Sequence, residues 1–152
     1  MDILNVLEKA TQINSVSGSE NEIRKFISDN VKKYCDELSV DAMGNLIAHK
    51  KGSGKKIMFA AHMDEIGIIV TDIDDKGFVR FSSVGGLNLR NLVNLRVRFA
   101  NSVVGVIGAE EEGFKDKPAI SKLYVDLGAA DKKEAEKIVS IGDTASFVGG
   151  FV

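Results

Sequence analysis

A histidine, two carboxylates and a glycine arrive together in Ala60-Ala61-His62-Met63-Asp64-Glu65-Ile66-Gly67. Residues two apart on an extended chain point the same way, so His62 and Asp64 can face one site. A metal-ligating imidazole donates its other N–H to a carboxylate, which fixes the tautomer and raises the ring's basicity. A His-x-Asp pair fits that chemistry. It fits as well a buried histidine held by an aspartate for structural reasons, with no metal. Glu65 falls on the opposite face of an extended chain and does not read as a general base.

The other chemical candidates are weaker. His49, between Ala48 and Lys50, reads as a surface strand residue. Asp72-Ile73-Asp74-Asp75-Lys76-Gly77 resembles the start of a calcium loop, but an EF-hand needs a carboxylate at its twelfth position, and Ser83 stands there. A hairpin turn is the better reading. Glu110-Glu111-Glu112 reads as a solvated loop. Gly52-Ser53-Gly54-Lys55 lacks the spacing of a phosphate-binding loop. Ser17 lies in a turn and Ser19 in a helix cap, and neither is a nucleophile elbow. Cys35 follows an amphipathic helix and reads as packing.

The elements that must position His62 and Asp64 follow from the flanking pattern. Ile57-Met58-Phe59-Ala60-Ala61 is a continuous apolar run, which predicts a strand buried on both faces. Ligands bind at the carboxyl ends of such strands in open α/β sheets. Upstream, Asp2 opens a short helix carrying Leu4, Leu7 and Thr11 on one face. Ser15-Val16-Ser17-Gly18 is a turn. Ser19 and Glu22 have the spacing of a capping box, and Ile23, Phe26, Ile27, Val31 and Tyr34 recur at helical spacing behind it. Leu38 and Val40 alternate with polar residues as in a strand, Met43-Gly44-Asn45 turns, and Leu46-Ile47-Ala48 is a second strand.

From about residue 70 the texture changes to short, closely spaced strands: Ile68–Ile73, Phe78–Phe81, Leu95–Phe99, Val103–Ile107, Leu123–Val125 and Thr144–Val148. Asp131 and Glu134 cap one intervening helix. Six short strands and a helix predict a small β-barrel or sandwich. The change of texture divides the chain into residues 1–69, an α/β portion, and 70–152, a β-rich portion.

Composition bounds the function. The chain has 152 residues and a net charge of −2, against the basic excess of a nucleic-acid binder. No apolar run approaches the ~20 residues of a membrane span. The N-terminus lacks the basic start and apolar stretch of a signal peptide. A single cysteine allows no internal disulfide and no Cys-rich metal site. The expectation is a cytoplasmic protein with neither nucleic-acid nor membrane partners.

Taken in order, several segments carry a resemblance: Val16-Ser17-Gly18-Ser19-Glu20, Asp41-Ala42-Met43-Gly44-Asn45-Leu46, Ala61-His62-Met63-Asp64-Glu65-Ile66-Gly67, Gly77-Phe78-Val79-Arg80-Phe81 with Gly85-Gly86, Gly105-Val106-Ile107-Gly108, and Leu123-Tyr124-Val125-Asp126-Leu127-Gly128-Ala129. The chain resembles the tetrahedral-aminopeptidase family, metallopeptidase family forty-two, which includes the glutamyl and deblocking aminopeptidases. The resemblance implies an α/β catalytic domain with two divalent ions, zinc or cobalt, interrupted by a small β-barrel-like (PDZ-like) dimerisation domain. It implies that His62 is a metal ligand and that Asp64 is the catalytic-site residue supporting it. It also implies hydrolysis of N-terminal residues from peptide substrates by metal-activated water, and assembly into homo-oligomers. Family members are about twice this length, and their remaining ligands and general base lie beyond the matching segment. The expectation is therefore an N-terminal half that is inactive alone. The alternative is a non-catalytic oligomerisation module built on the β-domain. A β-barrel that binds a peptide or ligand is a third reading, poorly supported by a chain with no Trp and two Tyr.

Overall fold

A computed structural model describes residues 2–110 and 117–151. Helices α1 (Ile3–Thr11) and α2 (Asn21–Val31) lead into a hairpin of β1 (Glu37–Val40) and β2 (Leu46–His49). Six strands follow: β3 (Gly67–Ile73), β4 (Val79–Val84), β5 (Arg96–Phe99), β6 (Val104–Ala109), β7 (Leu123–Asp126) and β8 (Thr144–Phe147). Helix α3 (Lys132–Ala135) lies between β7 and β8. The six strands close into a barrel in the order β3-β4-β7-β6-β5-β8, every pair antiparallel. Closure removes the free strand edges that an open sheet would present. Among the described residues, no helix is long and apolar enough to cross a membrane.

The alternation in the sequence explains the barrel. Val97 and Phe99 point inward and are buried, whereas Arg96 is exposed and Arg98 half-buried. Ile68 and Val70 from β3, Phe81 from β4, Ile107 from β6 and Val125 from β7 complete the same core. Each of the six predicted strands is present, with ends that differ by a few residues. The Asp72–Gly77 segment makes the β3–β4 turn: Asp74 Oδ1 accepts from the backbone of Lys76 and Phe78 at 3.1 and 3.0 Å. An aspartate bonding its own downstream backbone is turn chemistry, and no calcium loop is needed to explain it.

Three expectations fail locally. Ile57–Ala61 forms no strand, and Ile57, Met58 and Phe59 are 79%, 87% and 94% exposed. A strand buried on both faces needs a neighbour on each side, and the described residues supply none at this segment. For the same reason the α/β sheet expected of the N-terminal portion is not formed among them, and the only sheet before the barrel is the antiparallel β1–β2 hairpin. Ser19 and Glu22 make no capping box, and Glu20 stands at the N-cap of α2 without a side-chain cap bond. The Ser19 hydroxyl instead accepts from Thr144 Oγ1 at 3.0 Å, which ties the turn to the barrel. Asp2 does cap α1, accepting from Leu4 and Asn5, but Leu4 and Leu7 on its apolar face are exposed.

Candidate functional site

Two chain segments build the site. The first is the turn Ser15-Val16-Ser17-Gly18, where Gly18 takes φ +90°, a conformation that side chains disfavour. The second is His62-Met63-Asp64-Glu65, immediately before β3. They meet through a parallel bridge between Val16 and Glu65. Glu65 N donates to Ser15 O at 2.9 Å, and Ser17 N donates to Glu65 O at 3.3 Å. The Glu65 carboxylate adds a second clamp by accepting from both the backbone N and the hydroxyl of Ser15. The Glu65 carboxylate thus ties the turn to the segment before β3.

Packing fixes the junction. Val16 is fully buried and lies over Gly67, the first residue of β3. A Cβ at Gly67 would come within 2.5 Å of Val16 Cγ2 and 2.6 Å of Ala145 O. Only glycine allows the turn to press against the barrel this closely.

The pair read from the sequence is formed. His62 Nδ1 lies 3.0 Å from Asp64 Oδ1 and 2.9 Å from the Asp64 carbonyl oxygen. Both partners are acceptors, so Nδ1 carries the ring proton and the Nε2 lone pair is left for a ligand. The His62 side chain is 85% exposed and that of Asp64 36%. The pair therefore sits at an open surface just before β3 and not at the end of a buried strand. The Ser17 hydroxyl donates to Asp64 Oδ2. That bond, and after it the His62 ring, hold the Asp64 carboxyl below the usual carboxylate range.

Sequence reasoning missed the Ser17 contact. It joins residues 47 apart, and no local spacing signals it. The remaining candidates stay outside the site. His49 is exposed and faces Glu37 across the β1–β2 hairpin at 3.4 Å. Cys35 makes one weak contact to Lys32 O at 3.7 Å. Gly52, Ser53 and Gly54 lie in an exposed loop. Glu110 pairs with Arg80 at 2.9 Å, while Glu111 and Glu112 lie outside the described residues. The donor chemistry of His62 fits one corner of a divalent-metal site. Among the described residues, no group of three or more His, Cys, Asp or Glu could hold a metal ion.

Comparison with known proteins shows the family. The family model of M42 glutamyl aminopeptidases matches residues 44–152. A putative aminopeptidase of Acetivibrio thermocellus is 54% identical over 153 residues, covering 99% of this chain and 46% of that protein. The lysyl aminopeptidase of Pyrococcus furiosus is 36% identical over 160 residues, covering 96% of this chain and 46% of its own length. Among solved structures, the Pyrococcus horikoshii TET1 peptidase, which can assemble into a tetrahedron or a large octahedral shell, superposes with a TM-score of 0.82. It is 36% identical, and the match covers 96% of this chain and 46% of that one. The fold is thus one shared with a solved peptidase structure. The chain belongs to the M42 glutamyl aminopeptidase family, and it spans about half the length of the curated relatives it matches.

Proposed function

We propose that this chain is the N-terminal half of a metal-dependent aminopeptidase that releases N-terminal residues from peptides. The observation that carries the reading is the His62–Asp64 pair. Its tautomer and exposure suit an imidazole ligand, and it lies in a chain of demonstrated family membership. In this reading His62 is one ligand of a zinc or cobalt centre, and Asp64 orients it. In the same reading residues 1–69 contribute to an α/β catalytic domain, and residues 70–152 form a PDZ-like assembly domain. A divalent ion in such a centre activates water and stabilises the charge developing at the scissile bond.

Ligand counting then predicts that the chain alone does not turn over. A catalytic zinc takes three protein ligands plus water, and one exposed imidazole cannot retain the ion. The test is nitroanilide release from aminoacyl substrates with zinc, cobalt or manganese added, for the chain alone and for a protein that continues through the rest of the relatives' length. The longer protein should be active and lose activity on His62→Ala. The short chain should be silent, and metal-dependent turnover by it that His62→Ala abolishes would refute the ligand count.

A second reading rests on the barrel. A closed barrel whose relative in Pyrococcus horikoshii builds shells supports a homo-oligomerisation module. Light scattering separates the two: assembly without metal dependence, at residues of the barrel surface, favours the module.

A further inference from the structure

Asp64 has two carboxylate oxygens, and they are divided between two partners. Oδ1 accepts from His62 Nδ1 at 3.0 Å, and Oδ2 accepts from the Ser17 hydroxyl. The terminal torsion of an aspartate is broad and roughly two-fold, so one bond to a solvent-exposed ring does not hold the carboxylate plane. A second bond on the opposite oxygen does. Ser17 is itself fixed from behind: its N–H reaches Glu65 O, Ser19 N donates to Val16 O at 2.7 Å, and Val16 is sealed under Gly67. The barrel junction is therefore connected to the His62 ring through a run of bonds that begins in a turn distant in sequence.

We propose that Ser17 is a positioning residue for a metal site: its hydroxyl, bonded to Asp64 Oδ2, locks the carboxylate that keeps His62 in the Nδ1–H form with Nε2 turned outward to a divalent cation. The proposal rests on the reading of His62 as a metal ligand. Neutral histidine in water favours a proton on Nε2, the nitrogen that a cation needs bare. Ser17 and Asp64 together reverse that preference before any metal arrives. Partners behind a metal-ligating histidine commonly change metal affinity by 10–100-fold when removed.

The experiment uses the 152-residue chain with nitrogen-15 in its histidines, at a pH where the rings are neutral. Ring-nitrogen shifts and long-range couplings give the tautomer ratio of His62. The Nδ1–H form should dominate in the unaltered chain and lose population in Ser17→Ala, where the Asp64 carbonyl oxygen at 2.9 Å is the acceptor left in place, with barrel resonances unmoved. Ser17→Thr, which keeps the hydroxyl, should restore it. A ratio identical in Ser17→Ala and the unaltered chain overturns the role of Ser17. A Ser17→Thr chain that behaves like Ser17→Ala, with the barrel intact, does so too. Zinc chloride titration is read separately, on His62 Nε2 of a protein that continues through the rest of the relatives' length. Binding there should weaken about tenfold in Ser17→Ala. Zinc that leaves Nε2 unmoved in that longer protein overturns the ligand reading of His62, whatever the tautomer ratio shows.

Discussion

At the scale of single residues, two buried or half-buried groups hold more than their neighbourhood suggests. Val16 is the plug between the site turn and the barrel. Val16→Ala should cost about 1–3 kcal/mol in urea unfolding, the ordinary range for deleting buried methyl groups. It should also loosen Ser17 from Asp64, raising hydrogen exchange at the Ser17 amide more than at the barrel core. Asp74 is the second. Burial pushes its carboxyl up, but Arg80 and the backbone N–H groups of Phe78 and Lys76 outweigh it and hold the group below the usual range. Arg80 bonds Asp74 at 2.9 Å and lies over the Tyr124 ring at 5.7 Å. A depressed carboxyl stabilises the fold above its unfolded pKa, about 3.9, and that contribution is lost as pH falls through the lower folded value. Asp74→Asn should therefore cost about 1 kcal/mol at pH 7, as for one charge-assisted bond at a partly exposed site. The difference should shrink as pH falls through the lowered folded value of the Asp74 carboxyl. A gap between the two proteins that persists in acid would contradict the ion-pair account.

At the scale of elements, the barrel strands were legible because each carries its own inside-outside alternation, as Arg96-Val97-Arg98-Phe99 does. The Asp74 turn and the Asp2 cap were legible for a similar reason: each bond lies within a few residues. His62 and Asp64 were legible as a pair because two-residue spacing is local. The Ile57–Ala61 strand and the Ser19–Glu22 cap fail for the opposite reason, since burial of an apolar run depends on distant neighbours and Ser19 is claimed by Thr144. The Ser17–Asp64 bond was invisible on the same ground. Two measurements follow for these elements. Gly67→Ala should destabilise the β3 junction by about 1–3 kcal/mol, the usual cost of overpacking, because neither Val16 nor the Ala145 carbonyl has room to retreat. The exposed Ile57-Met58-Phe59 run should bind an apolar dye and promote association, as large apolar patches do. Phe59→Ser should lower both signals while leaving the unfolding midpoint of the barrel unchanged.

At the scale of the whole molecule, the barrel is the stable body and the site hangs from its edge. Chains should associate through exposed apolar surface, and light scattering at rising concentration should show mass above that of a monomer. A monomer at every concentration would remove that expectation. The closure of the barrel has a further consequence. Its first and last strands are neighbours, with Ile68 opposite Ala145 and Ile69 opposite Thr144. The chain thus enters and leaves the barrel at the same place, and elements whose ends lie close together tolerate insertion and permutation. A host polypeptide can carry such a unit as it would a long surface loop, with its own path scarcely diverted. The barrel could in turn be spliced head to tail, given new ends at the Asp74–Gly77 turn, and still recover every strand pairing that it now has.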